Sequence, residues 1–150
     1  MLIASPFIEA LKGKSVTHVW RGHGSAIFLE FGALTETRRR DGTPGQPDGE
    51  LTLMIAWSWR VERPRSILCG SWSSERRWPA MFRHLVGNEV SQVEFLGKLH
   101  EISVSLSNGL RVVSFMTAEG QPSWALIARQ PRLGSLHVRK GSLCVQAPGP

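Results

Sequence analysis

The chain has 150 residues, 41% hydrophobic and 20% charged, with a formal charge of +6 at pH 7. That is enough chain for one domain with its own core, and the composition is too ordinary for a disordered polymer. The longest apolar runs, such as AIFL at 26–29, are far too short to cross a bilayer.

At the N-terminus, MLIASPFIEALKGK is apolar, lacks a basic leader and is interrupted by Glu9, so no secretory signal is expected and the cytoplasm is the expected location. Within it, SPFIEALKG (5–13) aligns with PAMFRHLVG (79–87) at an offset of 74. Phe7, Ile8 and Leu11 then match Met81, Phe82 and Leu85, a helical spacing. Prolines 6 and 79 suit a first helical turn, and Gly13 and Gly87 suit a left-handed helix end.

LKGKSVTHV (11–19) and LVGNEVSQV (85–93) share the frame L-x-G-x-x-V-x-x-V. An alternating run follows each: Ile27, Leu29 and Phe31 in the first, Ile102, Val104 and Leu106 in the second. A period of two predicts strands with one buried face, and the V-x-x-V spacing, which breaks that period, predicts a bulge or turn. LTLMIAWSW (51–59) answers LRVVSFMTA (110–118) as the next strand. Between these strands the second half has SNG (107–109), a hairpin signal, whereas the first has ALTETRRRDGTPGQPDGE (33–50), read as an exposed, mobile loop. Strand-like runs close each half: RSILCGSW (65–72), then SWALIAR (123–129) and SLHVRKGSLCVQA (135–147).

The expected fold is a single α+β domain spanning 1–150. It is made of two pseudo-symmetric helix-plus-antiparallel-strand repeats, about 5–75 and 79–147, forming a mostly antiparallel sheet or flattened barrel.

Chemistry-bearing patterns are sparse. CGSW (69–72) resembles the segment around a papain-type nucleophile, but Trp72 stands where that motif has its reactive cysteine. Cys69 and Cys144 read as free thiols acting as small hydrophobes, with a single cross-link joining the two halves as the alternative. The five histidines show no ligand spacing, RGHG (21–24) reads as a hairpin tip, and solvated strand faces account for Glu30, Glu62, Glu94, Glu101 and Glu119. No metal, cofactor or catalytic set is expected.

Six tryptophans and no tyrosine stand out. Core packing explains most of them, and the functional alternative is a platform of Trp57, Trp59 and Trp72 edged by Arg60, Arg63 and Arg65, a mixture that suits single-stranded nucleic acid. Arg38, Arg39 and Arg40 in the long loop form a positive lobe for an acidic protein surface or for phosphates.

The repeated frame, with LSNGLRV (106–112) and SWAL (123–126), resembles a loose group of small bacterial proteins of unknown function, some of them similar to immunity-type proteins that neutralise secreted toxins. The likeness covers 79–128 best and 5–61 more weakly, carries no catalytic residues, and is departed from by the 33–50 insertion. The leading reading is a non-catalytic protein-interaction module of the immunity type, monomeric or homodimeric, with an acidic protein as partner and no membrane association. The alternatives are a nucleic-acid-binding protein using the Trp/Arg surface, and an enzyme or small-molecule receptor with a pocket between the halves.

Overall fold

A computed structural model describes residues 3–120 and 123–150; the first two residues of the N-terminal run, and Pro122 ahead of the expected strand 123–129, lie outside it. The predicted helices are α1 (Ser5–Leu11) and α2 (Trp78–Leu85), each with proline in its first turn. Phe7 and Leu11 of α1, and Trp78, Met81 and Leu85 of α2, are buried. Gly13 (φ 82°) and Gly87 (φ 92°) follow the helix ends in the left-handed region, where another residue costs roughly 1–2 kcal/mol.

Beyond each glycine the V-x-x-V spacing is a bulge, as expected. The pairing of β1 (Val16–Arg21) with β2 (Ile27–Phe31) slips between Val16 and His18. That of β6 (Val90–Leu96) with β7 (Glu101–Leu106) slips between Val90 and Gln92. The extra residue returns both valines of each frame to the buried face, so Val16 and Val19, and Val90 and Val93, all join the core.

The remaining strands are β3 (Leu51–Ile55), β4 (Trp59–Glu62), β5 (Ile67–Gly70), β8 (Arg111–Ser114), β9 (Trp124–Ala128), β10 (Gly134–Arg139) and β11 (Ser142–Gln146). All pairings are antiparallel, and they form two sheets in place of the expected single sheet or flattened barrel: β1-β2-β3-β9-β10-β11 and β5-β4-β8-β7-β6. The chain changes sheet twice, once between β3 and β4 and once between β8 and β9. Each crossover strand therefore pairs with a strand of the other half, β9 with β3 and β4 with β8. Inward-facing residues of both sheets and the apolar faces of both helices share one core.

The segments that link each helix to its first strand grip one another. Gly13 N–H donates to Val90 O (2.9 Å) and Gly87 N–H to Val16 O (2.8 Å). Val16 N–H donates to Asn88 O (2.9 Å) and Val90 N–H to Lys14 O (2.9 Å), with Ser15 bridged to Glu89 between them. At the crossover end, Trp59 Nε1 donates to Ser25 O (2.7 Å) and Trp124 Nε1 to His100 O (2.9 Å).

Residues 33–50 are largely exposed, and they also have a defined backbone. Thr35 and Asp48 exchange two hydrogen bonds (2.7 and 2.9 Å), and Arg39 N–H donates to Thr43 O (2.8 Å), so the segment is an irregular hairpin arm continuing β2 and β3. The run 135–147 is divided by a turn at Lys140 (φ 49°) and Gly141 (φ 78°), which separates β10 from β11. Both cysteines are free, Cys69 buried and Cys144 half-buried. Among the described residues no helix is long and apolar enough to cross a membrane.

Candidate functional site

The structure does not bring Trp57, Trp59 and Trp72 onto one face. Trp59 opens β4 and is fully buried, its ring edge-on to Trp78 at 5.1 Å between centroids. Trp57 lies in the crossover just before β4, so the two-residue period that would align it with Trp59 does not extend to it. Trp57 is 38% exposed and Trp72, just beyond β5, is 86% exposed. Arg60 sits on β4 with Nε 2.6 Å from Glu62 Oε2 and its guanidinium 5.1 Å from the Phe115 ring centroid. Arg111 reaches the other oxygen of Glu62 (2.9 Å). Burial opposes ionisation of Glu62, but the hydrogen bonds and charges of the two arginines outweigh it and hold its pKa below the ordinary 4.5.

Trp57 and Trp72 instead line an open cleft of about 330 Å³ at the crossover end, with Ser25, Ser58, Ser71, Thr117 and Ala118. Each wall is fixed from the backbone. Ser25 Oγ donates to Trp57 O (2.8 Å), and Ser71 Oγ accepts from Trp59 N–H (3.2 Å). The Trp57 ring lies against Gly120 so closely that a Cβ there would stand 1.7 Å from a ring carbon. Ala118 also belongs to an adjoining cleft of about 360 Å³, lined by Gly120, Leu99, Glu101, Met116 and Lys140 among others. Leu99 is 65% exposed. Glu101 accepts from Ser114 Oγ (2.7 Å) and Met116 N–H (2.6 Å) and so braces the second crossover. The crossover end therefore presents large apolar side chains interleaved with small hydroxyls, a surface chemically suited to binding.

Arg38, Arg39 and Arg40 lie at the other end of the same strands. The Ile27–Ile55 pair is next to the crossover and the Phe31–Leu51 pair next to the arm, so four strand steps, roughly 13 Å, separate the cleft from the arm's root. All three arginines are exposed. Arg38 Nη1 donates to Gly42 O (3.0 Å), and among the described residues the side chains of Arg39 and Arg40 make no hydrogen bond or ion pair.

The arm is fastened by a group whose role the sequence reading missed. Glu30 is not on a solvated face; its exposure is 0%. Its Oε2 accepts from Trp20 Nε1 (2.8 Å) and its Oε1 from Gly49 N–H (2.9 Å) and the Thr52 hydroxyl. Arg129 extends the network, donating to Thr52 Oγ1 (2.7 Å) and Gly49 O (3.2 Å). Gly49 is packed so tightly that a Cβ would lie 2.5 Å from Phe31 O. Beside it, Ala33 N–H and Lys14 Nζ bond to Glu50 at 2.8 and 2.9 Å and hold its pKa below the usual carboxylate range.

The histidines are scattered. His18 Nε2 pairs with Gln46 Oε1 (2.8 Å), His100 Nδ1 with Gly141 O (2.6 Å), and His23 is exposed at a hairpin tip. Among the described residues no three His, Cys, Asp or Glu gather into a metal-binding group. No protein-family model, curated protein or solved structure matches the chain.

Proposed function

We propose that this protein is a protein-interaction module that acts without catalysis and docks its partner on the crossover end, with Trp72 and Trp57 as anchors. One observation carries the reading: Trp72 is 86% exposed beside an open cleft that Trp57 helps to line. Exposed apolar surface of this kind marks interaction sites, and tryptophan is among the residues that most often dominate binding energy. The small hydroxyls of Ser25, Ser58, Ser71 and Thr117 supply hydrogen-bonding groups around those anchors. The immunity-type resemblance gives the reading a specific form, neutralisation of a toxin, with the arm of Arg38, Arg39 and Arg40 steering an acidic partner at long range.

The same reading takes the chain as two copies of one helix-and-strand unit. Its support is the constant displacement of 74 residues between Gly13 and Gly87, Val16 and Val90, and Ser15 and Glu89, together with the two bulges.

The test is affinity capture from the native lysate at low and moderate salt, with wild type, Trp72→Ala and an alanine triple variant of Arg38, Arg39 and Arg40. Wild type should retain one stoichiometric protein at moderate salt. Trp72→Ala should weaken that capture about thirtyfold, the effect of losing a hot spot worth roughly 2 kcal/mol, with an unchanged melting temperature. The arginine variant should weaken capture at low salt, and unchanged capture would remove the arm from the account. Equal retention by wild type and Trp72→Ala would defeat the cleft as the docking site. Recovery of nucleic acid that salt washes away would favour the nucleic-acid reading instead.

A further inference from the structure

Among the described residues four strands form the edges of the two sheets: β1 and β11 in one, β5 and β6 in the other. An edge strand exposes unpaired backbone groups, and proteins blunt such edges with bulges, charges, proline or shortness. Three of the four are blunted here. β1 carries a bulge and ends in Arg21, which is paired with Glu75 at 2.9 Å. β6 carries the matching bulge and an exposed Glu94 at its middle. β5 has four residues, is opposed by a register break in β4, and is preceded by Arg63, Pro64 and Arg65.

Within its own paired residues β11 has none of these devices; Arg139 and Lys140 stand ahead of it, across the turn, and Pro148 beyond its end. Its five residues, Ser142 to Gln146, contain no charge and no proline, and they pair with β10 in five consecutive steps without a slip. The six-stranded sheet owes its extra strand to β11, since the five-stranded sheet ends at β5.

The turn geometry determines which backbone groups of β11 are open. Arg139 and Ser142 close the two-residue turn at Lys140 and Gly141, so they form a hydrogen-bonded pair. Alternation along an antiparallel ladder then makes His137 with Cys144, and Ser135 with Gln146, hydrogen-bonded too. Leu143 and Val145 are left with N–H and C=O directed away from β10.

We propose that β11 pairs antiparallel with β11 of a second copy about a two-fold axis at Cys144, joining two six-stranded sheets into one of twelve. Leu143 and Val145 of each copy then exchange hydrogen bonds with Val145 and Leu143 of the other. Cys144 faces its symmetry mate as the non-hydrogen-bonded pair, with Cα atoms about 4.5 Å apart. A second copy is the occupant the edge favours for two reasons. The open groups match themselves on two-fold rotation. The strand is also uncharged, so two chains that each carry +6 meet where no like charges stand opposite.

Light scattering after size exclusion, combined with a short bismaleimide cross-linker, tests this. Cys69 is buried, so cross-linking reports on Cys144. Wild type should be a dimer that cross-links between chains, and Cys144→Ser should remain a dimer and lose the cross-link. Val145→Lys adds a charge at a position already 39% exposed and should give a folded monomer with the wild-type circular dichroism spectrum and a cooperative thermal transition. If the lysine variant proves unfolded, Cys144→Arg, on the outer side of the same strand, should separate the chains in its place. A monomeric wild type at every soluble concentration would overturn the proposal. So would a dimer that persists in a folded Val145→Lys or Cys144→Arg variant, or one that fails to cross-link at Cys144.

Discussion

Glu30 shows how one residue can decide the shape of a much longer segment. Its carboxylate is fully buried and satisfied by Trp20 Nε1, Gly49 N–H and the Thr52 hydroxyl, which together tie the root of the arm to sheet positions on β1 and β3. Glu30→Gln keeps the volume but turns one acceptor into a donor, so at least one of these buried donors must face another. The expected cost is about 1–3 kcal/mol, read as a lower urea midpoint; an unchanged midpoint would show that the arm's root is held elsewhere. The sequence offers no spacing that distinguishes Glu30 from the other strand carboxylates, because its burial depends on Gly49, which returns to it from the far side of the arm. Trp59 was hidden for a related reason. Its spacing from Trp57 satisfies the strand period, but the chain changes sheets at that point, and periodicity carries no signal for a sheet crossover.

At the scale of elements, local rules served well wherever the contacts are local. Proline and glycine positions located both helices, alternation located β2, β3 and β7, and the broken period located both bulges. The Lys140–Gly141 turn gives no clear sequence signal, since strand-like residues flank it closely on both sides. Non-local pairing was not legible at all, and the contact of β4 with β8 is an example. Glu62 clamps that pairing, accepting from Arg60 on its own strand and from Arg111 across the ladder. Because the folded state holds the Glu62 pKa below 4.5, the stability it contributes is fully present above that value and is lost as pH falls through the folded pKa. Wild type should therefore be more stable than Glu62→Gln at neutral pH, and their unfolding midpoints should converge under acid conditions below the ordinary value. Parallel pH profiles would show that the clamp adds nothing.

For the whole molecule, the consequential feature is the exchange of strands between halves. Each sheet is completed by strands from both parts of the chain, through β3 with β9 and β4 with β8, and the helix-to-strand linkers grip one another by four reciprocal hydrogen bonds. The covalent connection between the parts is only the short exposed passage from β5 to α2 around Ser73 and Ser74, with Ser73 Oγ accepting from Gly70 N–H at 3.0 Å. Neither part alone can complete its sheets or cover its apolar face, yet together they do so across surfaces that hardly involve that passage. The molecule thus has the layout of a heterodimer written as one chain. Residues 1–73 and 74–150, produced as separate polypeptides, should each remain unfolded and should regain the native circular dichroism spectrum and a sharp thermal transition on mixing. Fragments that fold alone, or fail to recombine, would mean that the connection itself is indispensable.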